Sequence, residues 1–125
     1  MTEDLMISIV DDDPSVCEGL IDLMNSIGFG ATAYRSANAF LQSESASTAA
    51  CLISDVQMPG IGGFELHDRL VKSGRKLPTI LITAYPKDSD RARAMRLGIH
   101  CYLAKPFNET DLLDCIRLAT GTKGS

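Results

Sequence analysis

Short apolar runs alternate with amphipathic helical stripes along almost the whole of this 125-residue chain, and no other feature restricts the fold as much. Runs at 6–10, 29–34, 51–54, 78–82 and 100–103 have the length and apolar content of strands. Each is followed by a helical segment, and a helix between successive strands is the pattern of a βα repeat with a parallel sheet.

The helical segments carry their own start and stop signals. Asp13-Pro14 supplies a cap and a first-turn proline, after which Val16, Leu20, Leu23, Met24 and Ile27 form one apolar stripe that Gly28 ends. Ser36 caps a short helix with Ala37, Phe40 and Leu41, and the small, polar stretch 42–49 is predicted as loop. Met58-Pro59-Gly60-Ile61-Gly62-Gly63 can continue neither regular element, so a helix starts only near Phe64 and runs to Lys72. Asp88 is read as the cap of a helix with Ala92 and Met95 that Gly98 terminates. Asn108 with Asp111 resembles a capping box for a last helix whose inner side is Leu112, Leu113 and Ile116. The expected fold is α/β: a doubly wound, five-stranded parallel sheet with five helices on its two faces. It forms one domain over 1–120, and 121–125 reads as the start of a linker or a free tail.

A mass of 13.5 kDa and 45% hydrophobic residues suit one core and leave no room for a second domain. A net charge of −4 and a pI near 5.0 argue against nucleic-acid binding by this segment. The local basic cluster Lys87, Arg91, Arg93 and Arg96 is interleaved with Asp88 and Asp90 and reads as a solvated helix face. Cys17, Cys51, Cys101 and Cys115 form no Cys-x-x-Cys pair and have no histidine at ligand spacing, so all four are expected to be reduced, packed thiols. His67 and His100 are read as structural. No run approaches the ~18 apolar residues of a membrane span, and Met1-Thr2-Glu3-Asp4 lacks a basic leader. A cytoplasmic location is expected, with no membrane partner.

In a sheet of this kind the right-handed crossovers bring every strand C-terminus to one edge, where ligands bind. Asp11 and Asp12 follow the first strand, Asp55 the third, Thr83 the fourth and Lys105 the fifth. All five are therefore expected to converge. Three carboxylates gathered there repel one another, and a divalent cation relieves the repulsion. Oxygen ligands without His or Cys favour Mg²⁺, with Mn²⁺ as its substitute. Asp12 and Asp55 are the better direct ligands, with Asp11 acting through water. A carboxylate surrounded by a cation, an ammonium and a hydroxyl is a receptor for a tetrahedral anion, and the matching reaction is phosphoryl transfer to a carboxylate oxygen. Lys105 would pair with one phosphoryl oxygen and Thr83 would donate to another.

Val10-Asp11-Asp12, the run Asp55-Val56-Gln57-Met58-Pro59-Gly60-Ile61-Gly62-Gly63, Ile82-Thr83-Ala84 and Leu103-Ala104-Lys105-Pro106-Phe107 together resemble the receiver domains of two-component response regulators. The match covers roughly 5–119 in the family's order and spacing. The resemblance implies the flavodoxin-like receiver fold with strand order 2-1-3-4-5, and an Asp55 that takes a phosphoryl group from a phosphohistidine on a sensor histidine kinase or phosphotransfer protein. It implies that Asp11, Asp12, Asp55 and the backbone carbonyl of Gln57 hold the metal, and that Thr83, Ala84 and Lys105 surround the phosphoryl group. It further implies a cis bond between Lys105 and Pro106. Thr83 and Tyr102 would be the switch pair that reshapes the surface made by the helix from Asp88, the fifth strand and the last helix. A phosphorylation-dependent homodimer through that surface is a further expectation. Asp13, next to the acidic pair, reads as a helix cap and not a third ligand. Tyr34-Arg35-Ser36-Ala37, with Phe40-Leu41, resembles receivers of the LuxR/FixJ type, whose output is transcription.

Two other functions fit parts of the sequence. Asp11-Asp12-Asp13-Pro14-Ser15 also matches the nucleophile motif of haloacid-dehalogenase phosphatases, but no later acidic pair follows at a strand end. A stand-alone phosphorelay or docking receiver, without DNA-binding output, is the remaining alternative. A docking module has no need of mutually repelling carboxylates.

Overall fold

The computed structural model describes residues 5–121. Five strands, β1 (Met6–Val10), β2 (Gly30–Tyr34), β3 (Cys51–Asp55), β4 (Thr79–Thr83) and β5 (Cys101–Ala104), alternate with α1 (Pro14–Ser26), α2 (Ala37–Leu41), α3 (Ser45–Thr48), α4 (Gly63–Lys72), α5 (Asp88–Arg96) and α6 (Glu109–Thr120). All strand pairs are parallel and the order is β2-β1-β3-β4-β5. β1 therefore lies inside the sheet, and the winding direction reverses between β1 and β3, the crevice where such sheets bind ligands.

The two-residue strand period sorts the core into layers. Ile7, Ile9, Cys51, Ile53, Ile80 and Ile82 face α1 and α6 and join Leu20, Met24, Leu112 and Ile116 in one continuous cluster. On the other side Val10 and Leu52 pack with Phe40, Leu66 and Leu70. Leu81 and Tyr102 form a separate cluster with Phe64, Ala94 and Ile99.

The local signals act largely as read from the sequence. Asp13 Oδ1 accepts from Ser15 N at 2.9 Å, Ser36 Oγ from Ala39 N at 3.1 Å and Asn108 Oδ1 from Asp111 N at 2.7 Å. These bonds satisfy donors that the first turn of a helix leaves free.

Four expectations need correction. The stretch 42–49 is not all loop. It contains the single turn α3, tied down by Tyr34 Oη donating to Ser45 Oγ at 2.7 Å and Arg75 Nε donating to the Ala46 carbonyl at 2.5 Å; these partners are distant in sequence and invisible to local pattern. The described residues thus hold six helices and not five. Lys87, not Asp88, occupies the N-cap of α5, and Asp88 stands in the first turn, where its charge favours the positive end of the helix dipole. Cys101 and Cys115 are joined as a disulfide, while Cys17 and Cys51 are buried free thiols. No helix among the described residues is long and apolar enough to cross a membrane. The residues 1–4 and 122–125, which bear on the leader and most of the tail, lie outside the described residues.

Candidate functional site

The C-terminal ends of β1, β3, β4 and β5 bring Asp11, Asp12, Asp55, Thr83 and Lys105 to one edge of the sheet. Asp11 is fully buried and Asp55 nearly so at 7% exposure, while Asp12 is exposed. One carboxylate oxygen from each of Asp11, Asp12 and Asp55 lies within 4.8 Å of the others. Lys105 Nζ bridges the two buried acids, 3.0 Å from Asp11 Oδ2 and 3.4 Å from Asp55 Oδ2. Asp11 Oδ1 also accepts from Asp13 N at 2.9 Å, which fixes its rotamer.

The turn after β3 holds Asp55 in place. Gly63 packs so closely that a Cβ there would lie 2.7 Å from the Asp55 carbonyl oxygen and 2.9 Å from Leu81 Cδ2. Any side chain would push α4 off the strand end. Gly63 N donates to the Val56 carbonyl at 3.1 Å and Val56 N to Ile82 O at 2.9 Å, so the turn is also pinned to β4. Within it, Gln57 N donates to Asp55 Oδ1 at 3.3 Å.

Charge balance at this edge is incomplete. Burial raises the Asp55 pKa above the ordinary carboxylate value; the Asp11 charge adds to this, and Lys105 and the Gln57 N–H oppose it. Burial alone would lower the pKa of Lys105, but its hydrogen bond to Asp11 and the charges of Asp11 and Asp55 outweigh that, and the net shift is upward. One ammonium is shared between two buried acids, and a third carboxylate lies beside them. Clustered hard oxygens with no His or Cys among them suit Mg²⁺ better than zinc. The donor set fits such an ion, with Asp11, Asp12 and Asp55 as the residues able to hold it.

Thr83 Oγ1 donates to Gln57 Oε1 at 2.8 Å and accepts from Tyr85 N at 3.0 Å. The Gln57 side chain, where the sequence points only to the backbone carbonyl, thus engages the hydroxyl expected to meet a phosphoryl oxygen. Ala84 is exposed beside it. The Lys105–Pro106 bond is cis, and Lys105 N donates to Thr83 O at 2.7 Å, joining the ends of β4 and β5.

Tyr102 packs into the cluster with Phe64 and Leu81, at 6% exposure. Its hydroxyl accepts from Lys87 N at 3.1 Å, and Arg91 lies 5.1 Å from the ring centroid. Arg93 stacks 4.3 Å over Phe64. Two members of the basic cluster therefore cover aromatic rings, a function that charge interleaving in the sequence does not reveal.

This fold and this acidic edge with its bridging lysine define a class of signalling domain. The response regulator receiver domain model matches residues 7–117, and the chain belongs to that family. It is 37% identical over 117 residues to the response regulator protein TmoT of Ectopseudomonas mendocina, covering 94% of this chain and 53% of that protein. It is 35% identical over 121 residues to the transcriptional regulatory protein FixJ of Azorhizobium caulinodans, covering 97% and 57%. Among solved structures, FixJ-N superimposes with a TM-score of 0.85 at 28% identity over 99% of both chains. The chain spans about half the length of the curated relatives it matches.

Proposed function

We propose that this receiver accepts a phosphoryl group on Asp55 from a phosphohistidine of a sensor histidine kinase or phosphotransfer protein, in a Mg²⁺-dependent step. The observation that carries the reading is the pairing of one ammonium, Lys105 Nζ, with two buried acids, Asp11 and Asp55, beside the exposed Asp12. A structural ion pair would need one acid; the surplus negative charge suits a cation and an incoming phosphoryl group.

In the transfer an Asp55 carboxylate oxygen attacks phosphorus, the P–O bond forms, and the P–N bond to the donor imidazole breaks. The imidazole leaves with the bonding electron pair. Asp11, Asp12 and Asp55 would hold a Mg²⁺ that would neutralise charge during the transfer. Lys105 releases its contact with Asp55 and pairs with a phosphoryl oxygen. Thr83 exchanges Gln57 Oε1 for another, so the Gln57 side chain competes with the phosphoryl group for the same hydroxyl. The domain is a phosphoacceptor whose only chemistry is self-catalysed transfer and hydrolysis.

The signal leaves through α5, β5 and α6. Movement of Thr83 alters the end of β4, to which Lys105 N is bonded, and β5 carries Tyr102, whose hydroxyl meets the N-cap residue of α5. Phosphorylation then shifts an existing equilibrium toward the arrangement that accommodates the added charge. Relatives named as transcriptional regulators support an output in transcription; we propose that it runs through a partner or an attached domain, with a homodimer formed by this face, in the cytoplasm.

Labelling with acetyl phosphate and Mg²⁺ tests the assignment. Wild type takes up one acid-stable, base-labile phosphoryl group, and Asp55→Asn takes up none. Undiminished labelling of Asp55→Asn rejects Asp55 as the acceptor and favours Asp11, as a phosphatase would use it.

A further inference from the structure

Cys101 opens β5 and Cys115 lies on the inner stripe of α6 with Leu112 and Ile116; their Cα atoms are 6.0 Å apart and their sulfurs are bonded. That separation falls in the range of about 4.4–6.8 Å that a disulfide spans without moving the backbone. β5 is an edge strand, held by β4 on one side only. Alternation turns Cys101 and Leu103 toward α6 and Tyr102 toward α5. The other two cysteines are poor rivals. Both are buried; burial pushes the Cys51 thiol up to about 12, and the Cys17 thiol donates to the Asp11 carbonyl at 3.3 Å, so neither is exposed to attack a small disulfide. Cys101 is only partly buried and open to a first attack.

We infer that Cys101 and Cys115 form a reversible thiol/disulfide site, closed by small-molecule disulfides of the glutathione class, that fastens the edge strand β5 to α6. In closure the Cys101 thiolate attacks a sulfur of glutathione disulfide and expels one glutathione. Cys115 then attacks the Cys101 sulfur of the mixed disulfide and expels the second. The two protein thiols lose two electrons and two protons, and the oxidant becomes two glutathione thiols. In a compartment poised by glutathione, such pairs act as redox devices more often than as permanent staples. The strand so fastened is also the one that carries Tyr102 and leads directly into Lys105. Oxidation and phosphoryl chemistry would therefore meet on one strand, although the thiol site does not depend on Asp55 being an acceptor.

The full chain is equilibrated in glutathione redox buffers, quenched by acid, alkylated in denaturant and cleaved after glutamate. Cleavage at Glu109 separates the two cysteines in sequence, so a closed pair keeps both fragments joined until dithiothreitol is added. The expected result is that joining, with Cys17 and Cys51 alkylated, full reopening by dithiothreitol in the folded protein, and a melting midpoint higher by roughly 10 °C when oxidised. Cys115→Ser should retain a glutathione adduct on Cys101 and lose the shift; Cys101→Ser should lose both. Alkylation of all four thiols in oxidising buffer, a bond between chains, or an equal melting shift in Cys115→Ser would overturn the inference. The wild-type measurement decides it even if either variant fails to fold.

Discussion

The two faces of the sheet are built differently. On the α1/α6 face one continuous cluster runs from Ile7 to Ile116, with both helices sinking several large side chains into it. On the opposite face the apolar contacts divide into two clusters, and α5 buries only Ala94. Met95 and Leu97 beside it are exposed, at 75% and 45%. In place of a packed stripe, α5 is held by Lys87 N on the Tyr102 hydroxyl and by Arg91 and Arg93 over aromatic rings. Elements with few buried apolar contacts open at low free-energy cost. In the proposed function one face fixes the acids and the other moves, and the division of the core matches that split of roles.

Substitutions on the two faces should reproduce the contrast. Leu112→Ala, in the continuous cluster, is expected to cost about 3 kcal/mol in urea unfolding. Met95→Ala on α5 should cost under ~0.5 kcal/mol. Similar losses for both would remove the distinction between the faces.

The next largest effect lies at the acidic edge. Lys105→Ala leaves Asp11 and Asp55 facing each other without a counter-charge, at an expected cost of about 1–3 kcal/mol because the ammonium is partly solvated. Adding Asp55→Asn should restore much of that loss. Strict additivity of the two changes would contradict the shared-ammonium arrangement.

Asp55→Asn alone should stabilise the metal-free protein by on the order of 1 kcal/mol at neutral pH, as function-bound strain is relieved. The sign follows from linkage. A carboxyl whose pKa is raised on folding holds its proton longer in the native state, so stability falls as pH rises through its titration. The gain from asparagine should therefore be present at neutral pH and vanish below the ordinary carboxylate range. A pH-independent gain would point to packing.

His67 gives the smallest and oppositely signed effect. Burial lowers its pKa, with the nearby His100 adding to the shift and Asp68 opposing it. The unfolded chain then binds the extra proton first, so stability is complete above the ordinary histidine range and declines as pH falls through it. His67→Gln should flatten that decline without altering Mg²⁺ binding.

The strand and helix alternation, the caps at Asp13, Ser36 and Asn108, and the convergence of Asp11, Asp12, Asp55, Thr83 and Lys105 were all legible in the sequence. Strand-end position and side-chain chemistry are local, and the topology follows from alternation. What escaped was set by partners distant in the chain. α3 depends on Tyr34 and Arg75, the Thr83–Gln57 bond crosses from β4 to the turn after β3, and Arg93 finds Phe64 one helix away. The cysteines show the same limit. Each of Cys101 and Cys115 could be assigned to an inner face, but their adjacency depends on how α6 lies across β5.

Amide hydrogen exchange with and without beryllofluoride and Mg²⁺ tests most directly whether Asp55 signals through the looser face. The expected result is altered protection in α5 and β5 and in the turn from Asp55 to Gly63, with the amides of α1 beyond its first turn unchanged. Altered exchange spread evenly over both faces, or confined to α1, would contradict it.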